Sequence, residues 1–267
     1  MAKLVECVPN FSEGRRVEVV DRLAAAIVRT PGALLLDRTS DASHNRSVLT
    51  LAGEPEAVTR AMELAVEVAV GEIDMERQTG EHPRIGAVDV IPFVPLGDST
   101  LDECIELARA FGARIAARFE LPVYLYAAAA TRSDRVKLAD VRRGQYEGLK
   151  VEIANQGREP DFGPTRTHPS AGAVAVGARP FLIAYNINLA STDIELARRI
   201  SRRVRESELI GLCPLAAFLA VADHAGFAAD APVEERCAAA TGYLRLRDFS
   251  PMQVLELRLD AAQRGEG

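Results

Sequence analysis

Apolar residues recur along this chain at two spacings, and the switch between them marks out the elements. Residues 3–11 (KLVECVPNF) are rich in Val and Phe and predict a strand. Ser12 is placed to cap a helix, and 17–27 carry apolar residues at helical spacing until Pro31-Gly32. A short apolar strand follows at 33–37, then a polar loop at 41–46 and a second strand at 47–52. Pro55 opens a long amphipathic helix to about residue 73, ahead of a Gly/Pro-punctuated loop at 80–86. Residues 87–96 predict a strand whose Pro92 and Pro95 suit an edge or a strand end. A helix at 100–119 and a strand at 122–126 come next, then a polar stretch at 132–160 that is helical in part. Residues 161–172 (DFGPTRTHPSAG) hold too many breakers for regular structure and read as a linker between two units. Beyond it come a strand at 181–189, a helix at 192–207, a strand at 209–213 and helices at 215–225 and 251–263.

Strands alternate with helices, yet several strand pairs are joined by short loops. This predicts an α+β fold with mixed, largely antiparallel sheets covered by helices on one face, not a doubly wound parallel sheet. The helix ending RRVRES (202–207) runs into ELIGLCP (208–214) with no Gly, Asn or Pro between them. Helix-to-strand connections usually take about 2–6 residues, so the junction is abrupt.

Composition narrows the function classes. With 267 residues, 48% of them hydrophobic, the chain can bury one or two cores. Lys and Arg number 32 against 38 acidic residues, a net charge of −6, which gives no reason to expect nucleic acid or an anionic membrane as partner. The four cysteines, Cys7, Cys104, Cys213 and Cys237, are scattered and form no CxxC pair, so no zinc site is expected. They suit a reducing compartment. Residues 1–11 show no hydrophobic signal core, and the longest apolar stretch, 209–222, is broken by Gly211 and Pro214. A soluble cytoplasmic protein is the expectation. Neither GxGxxG nor GxxxxGK[ST] occurs, so no nucleotide-phosphate cradle is expected.

Several residues could carry chemistry. His82 lies in QTGEHPRIG (78–86), held by Gly80, Pro83 and Gly86 between Glu81 and Arg84. A loop histidine near its neutral pKa can accept and return a proton, though the same pattern fits a surface histidine with no role. Along 181–189, Phe181, Ile183, Tyr185, Ile187 and Leu189 share one face, while Asn186 and Asn188 share the other. That amide face suits a polar heterocycle or plain solvent exposure. Glu6 and Asn10 share a face of the first strand with the same two readings. The loop DRTSDASHNR (37–46) gathers Asp37, Asp41, His44, Asn45 and Arg46, residue types that suit either a ligand or a turn. No GxSxG elbow makes a serine nucleophile of it. Arg46, Arg84, Arg166 and Arg179 lie in or beside loops and could fork a dicarboxylate, or simply be solvated. His168 and His224 are weaker candidates.

LVECVPNFSEGR (4–15), NRSVLTLAGEP (45–55), GEHPRIGAVDVIPFVPL (80–96), PVYLYA (122–127), DFGP (161–164), GAVAVGARPFLIAYNINL (172–189) and LIGLCPL (209–215) run collinearly. Together they resemble the glutamate formiminotransferase family, with VPNFSEG and GEHPRIGA the most specific phrases. The resemblance implies transfer of a formimidoyl group from N-formimidoyl-L-glutamate to N5 of tetrahydrofolate, releasing glutamate, a step of histidine degradation. It implies His82 as the catalytic residue. It also implies a folate-binding segment formed by Gly163, Pro164, Thr165, Arg166, Thr167, His168, Pro169, Ser170, Ala171 and Gly172. Tetrahydrofolate is then a co-substrate, no metal is needed, and a homodimer is expected. Two α/β subdomains follow, 1–178 with the catalytic histidine and 179–267 shortened by an apparent internal deletion at residues 207–208. Three readings stay open: an active transferase of formimidoyl or formyl groups, a folate-binding or scaffold protein without turnover, and a poorly stable product with unpaired strand edges.

Overall fold

Seven strands and five α-helices fill residues 3–182 of the computed structural model, which describes residues 3–182, 193–196, 198 and 199. Strands β1 (Lys3–Cys7) and β2 (Asn10–Phe11) are separated at Val8-Pro9, so the single first strand expected from sequence is two. Helix α1 is Val17–Val28, β3 Ala33–Asp41, β4 Arg46–Gly53 and α2 Pro55–Glu72. Then come β5 (Val88–Gly97), α3 (Leu101–Phe119), β6 (Val123–Ala127), a 3-10 turn (Ser133–Arg135), α4 (Leu138–Val141), α5 (Gln145–Glu152) and β7 (Val174–Ala178).

The strands form one mixed sheet. β3 and β4 make an antiparallel hairpin, and β4 pairs antiparallel with both β1 and β2. Those two pair antiparallel with β5, whose other side takes β7 in parallel, and β7 takes β6 in parallel. The expected α+β class holds. β5 is therefore central, not an edge, despite its prolines. Pro92 stands opposite the Val8-Pro9 break, between the pairs Cys7↔Phe93 and Asn10↔Val90. Pro95 lies beyond Phe93↔Ala178, where β7 ends. Each proline thus sits where its neighbour asks for little from a missing N–H.

Alternation sorts the sheet into two faces. Leu49, Leu51, Phe93, Val123, Leu125, Val174 and Val176 pack against Leu23 and Ile27 of α1, Met62 and Val66 of α2, and Phe111 and Ile115 of α3. Phe93 and Phe111 meet edge-on, with centroids 5.4 Å apart. Cys7 and Cys104 are buried in this cluster, and burial raises both thiol pKa values. On the opposite face, Val90, Tyr124, Tyr126 and Ala175 pack with Val141, Leu149 and Ile153 around α4 and α5. Helices thus cover one face fully and the β5-β7-β6 end of the other, not one face alone.

Three local expectations change. Ser12 does not cap α1. Its hydroxyl donates to Gly86 O at 2.7 Å, and the Glu13 carboxylate takes the backbone N–H of Arg15 and Arg16, each at 2.9 Å. β3 runs to Asp41, because its polar half gains a full ladder against residues 46–50 of β4. Residues 161–172 are not a linker. Val123 N donates to Phe162 O and Ala87 N to Ala171 O, both at 2.9 Å, and the stretch leads into β7, which sequence patterning missed. The expected strand at 209–213, the helices at 215–225 and 251–263, the junction at 207–208 and most of the strand at 181–189 lie outside the described residues. Within the expected helix at 192–207, residues 194–196, 198 and 199 are helical.

Candidate active site

One asparagine clips together the loops that carry His82. Asn45 adopts φ 49°, a left-handed conformation that asparagine tolerates better than most residues. Its Oδ1 accepts from Gly14 N at 2.9 Å, and its Nδ2 donates to Thr79 O at 2.9 Å. Gln78 Nε2 donates to Asn45 O at 3.1 Å, and Glu81 N donates to Ser43 O at 3.3 Å. Gly80 presses on the same turn so closely that a Cβ there would lie 2.2 Å from His44 O. Three loops (12–16, 42–46 and 78–86) are therefore registered before any ligand arrives.

His82 is half-buried beside this clip. Its ring meets that of His44 edge-on, with centroids 6.3 Å apart at 66°. Asp41 holds His44, accepting from its backbone N at 2.8 Å and lying 3.0 Å from Nδ1. Those bonds keep the Asp41 carboxyl below its usual pKa. Burial first, then the positive charges of Arg46 and Arg142, with less from His44 and Arg84, pushes His82 down to about 4. At pH 7 the imidazole is neutral and keeps a lone pair for a proton.

Two arginines flank it. Arg46 Nε donates to Asn10 Oδ1 at 2.6 Å, and a second nitrogen of the same guanidinium reaches the same oxygen. Burial lowers the Arg46 pKa, and repulsion from Arg142 adds to the effect. Arg142, which closes α4, donates through Nη2 to Asp89 Oδ2. Asp89 is 2% exposed, and its other oxygen accepts from Ile85 N at 3.0 Å. Burial raises the Asp89 pKa while Arg142 opposes the rise.

The residues expected from sequence separate into groups. Asn10, Asp41, Asn45, Arg46 and His82 come together. Arg84 is near but engaged: its nitrogens lie 2.8 and 3.0 Å from the two Glu147 oxygens, and Nε donates to Gln78 Oε1 at 2.7 Å. It serves to fix the His82 loop against α5. The segment from Gly163 to Gly172 is divided. Its first part runs past the ends of α3 and α2, with Arg166 3.3 Å from Glu120 and Met75 N donating to Ser170 O at 2.7 Å. His168 Nδ1 accepts from Ala171 N at 3.0 Å, which closes a tight turn. Its end meets the exit of the His82 loop, where Gly172 bridges to Gly86 and Ala171 O accepts from Ala87 N. Asn186, Asn188 and His224 lie outside the described residues. Sequence reading missed Asp89 and Arg142. An acidic residue inside AVDVIPF was the available signal, since an unpaired carboxylate is seldom fully buried. Among the described residues no group of three or more His, Cys, Asp or Glu is placed to hold a metal, and no helix is long and apolar enough to cross a membrane.

Residues 4–179 match the formiminotransferase domain, N-terminal subdomain. The chain is 46% identical over 207 residues to a glutamate formimidoyltransferase of Streptococcus pyogenes, covering 78% of this chain and 69% of that protein. A glutamate formimidoyltransferase of Thermoplasma acidophilum is 45% identical over 207 residues, covering 77% of this chain and 68% of that protein. The formimidoyltransferase-cyclodeaminase of Sus scrofa is 49% identical over 206 residues, covering 77% of this chain but only 38% of that protein.

Proposed function

The chain belongs to the formiminotransferase family, and from that premise we propose that it moves a formimidoyl group from N-formimidoyl-L-glutamate to N5 of tetrahydrofolate, with His82 transferring the proton. The observation that carries the role of His82 is its setting: a half-buried imidazole, neutral at pH 7, beside two arginines. N5 attacks the amidine carbon and a tetrahedral intermediate forms. Neutral His82 takes the proton from N5, then returns it to the glutamate nitrogen as the C–N bond breaks. The cationic surroundings suit a donor that brings two carboxylates. Tetrahydrofolate enters as co-substrate, and no step calls for a metal. Held substrates supply much of the remaining acceleration through proximity.

Residues 1–178 form the N-terminal subdomain in this reading and 179–267 a shortened C-terminal one, a division supported by the match over residues 4–179. Residues 163–172, Asn186 and Asn188 enter the same proposal as folate-binding residues. A cytoplasmic location rests on the scattered cysteines and a homodimer on the family resemblance, and sedimentation velocity tests the second. The names of the relatives favour formimidoyl over formyl transfer.

The test is His82→Ala. Turnover is expected to fall about 10²–10⁴-fold, while calorimetric affinity for reduced folate changes little. Equal loss of both, or unchanged turnover, sinks the role of His82. A wild-type protein that binds reduced folate but never transfers the group would favour the folate-binding reading.

A further inference from the structure

Arg142 has a donor with nothing to give to. Its Nε is buried and has no hydrogen-bond partner among the described residues. Buried guanidinium donors are normally satisfied, so an unmatched one asks for an acceptor. Two other arginines share the feature but sit elsewhere: Arg109 pairs with Glu106, and Arg158 Nε still has Glu152 at 3.5 Å. Arg142 is also firmly placed. Its backbone N donates to Leu138 O at 3.0 Å, and its carbonyl accepts from Gln145 N at 2.8 Å. The turn after it uses two left-handed residues, Gly144 at φ 80° and Gln145 at φ 54°. Asp89 Oδ2 takes Nη2, and the buried Nε is left without an acceptor among the described residues.

Asp89 acts on both Arg142 and Arg46, and Asp41 also acts on Arg46. Yet among the described residues neither arginine holds a carboxylate on a full edge of its guanidinium: Arg142 gives Nη2 alone to Asp89. Among the described residues Arg46 donates to the neutral oxygen of Asn10. Arg84 already has Glu147, and His44 has Asp41. The unmatched Nε of Arg142 calls for an acceptor, and a carboxylate matches a guanidinium edge in shape.

We propose that Arg142 and Arg46 form the carboxylate-binding end of the site beside His82, with Asp89 as the positioning residue that aims Arg142 Nε at a substrate carboxylate. This rests on the transferase reading for the identity of the substrates. Both substrates bring the same chemistry: the carboxylates of the glutamate donor and those of the glutamyl tail of folate.

The experiment uses the full chain with Arg142→Lys and Asp89→Asn. Lysine keeps the charge but loses the fork. Arg142→Lys is expected to raise one KM about tenfold to a hundredfold with kcat within about threefold, as for loss of a charge-assisted hydrogen bond. Asp89→Asn should raise the same KM by a smaller factor. A rise confined to N-formimidoylglutamate assigns the carboxylate to the donor. A rise confined to tetrahydrofolate, and absent with a tetrahydropterin that lacks the glutamyl tail, assigns it to folate. Unchanged KM for both substrates, or lost kcat with both KM values intact, overturns the proposal. Glutarate titrated into wild type by calorimetry, and into Arg142→Lys, provides a readout without turnover. Binding that Arg142→Lys weakens upholds the carboxylate site even if wild type transfers nothing, in which case the transferase reading alone fails. Absence of binding to wild type counts against the site.

Discussion

At the scale of single residues, the site is governed by charge acting on one imidazole. His82 sits near 4 when folded, below the unfolded value of about 6.5. A histidine lowered in this way is proton-poor in the native state. It makes no difference to stability above pH 6.5 and costs stability as the pH falls from about 6.5 toward 4, where the unfolded chain takes up the proton first. The His82 ring resonance is therefore expected to titrate near 4 by proton NMR, and saturating glutarate should raise that midpoint by offsetting Arg46 and Arg142. A free-protein midpoint near 6.5 would refute this account of its surroundings. His82→Gln should also shrink the drop in urea midpoint between about pH 7 and pH 4.5. The histidine itself was legible, because Gly80, Pro83 and Gly86 announce a shaped loop. Its pKa was not. The expectation of a value near neutrality failed, since Arg46 and Arg142 are distant in sequence and a linear pattern reports no through-space charge. Arg142 lies in a polar stretch with no periodic signal, so only the fold reveals it.

At the scale of elements, backbone approach decides more than side-chain chemistry does. Gly86 is crossed by the incoming strand so tightly that a Cβ would lie 1.9 Å from Ala173 O and 2.6 Å from Ala171 O. Gly86→Ala is expected to cost about 3 kcal/mol or more in urea unfolding, because it forces apart the pairing next to the His82 loop. Gly71, in α2, has nothing within 4 Å of the place a Cβ would take. Gly71→Ala should instead stabilise by about 0.5–1 kcal/mol, through helix propensity alone. If both changes proved neutral, the close approach at Gly86 would not be what excludes a side chain. The long helices were readable almost to the residue, since 18 residues in α2 and 19 in α3 give periodicity room to speak. Short strands gave it none. β7 is VAVGA, small residues buried on both faces, with no alternation to see. Pro92 and Pro95 suggested an edge or a strand end; Pro95 does lie near the end of β5, but the strand is central and the gaps lie in its neighbours.

At the scale of the whole molecule, the 161–172 stretch is a structural tie. Asp161 Oδ2 accepts from Leu125 N at 2.8 Å and from Arg135 Nη1 at 2.6 Å, and Oδ1 accepts from Thr131. Both charged side chains are nearly dry, 7% and 6% exposed. Asp161→Ala would leave Arg135 buried without its counter-ion, and a loss of about 3–5 kcal/mol is expected in urea unfolding. A change below about 1 kcal/mol would show that water readily replaces the carboxylate. Composition marked this stretch as a linker because breakers report the absence of regular hydrogen bonding, not the absence of packing. What it delivers is β7, and that strand goes between β5 and β6. A growing polypeptide on the ribosome thus makes α1 to α5 before β7, with a slot still open through this sheet. Until residues 174–178 arrive, β6 has no strand beside it, and the slot is a ready acceptor for someone else's backbone. Synthesis that pauses just before these residues emerge would be the dangerous kind.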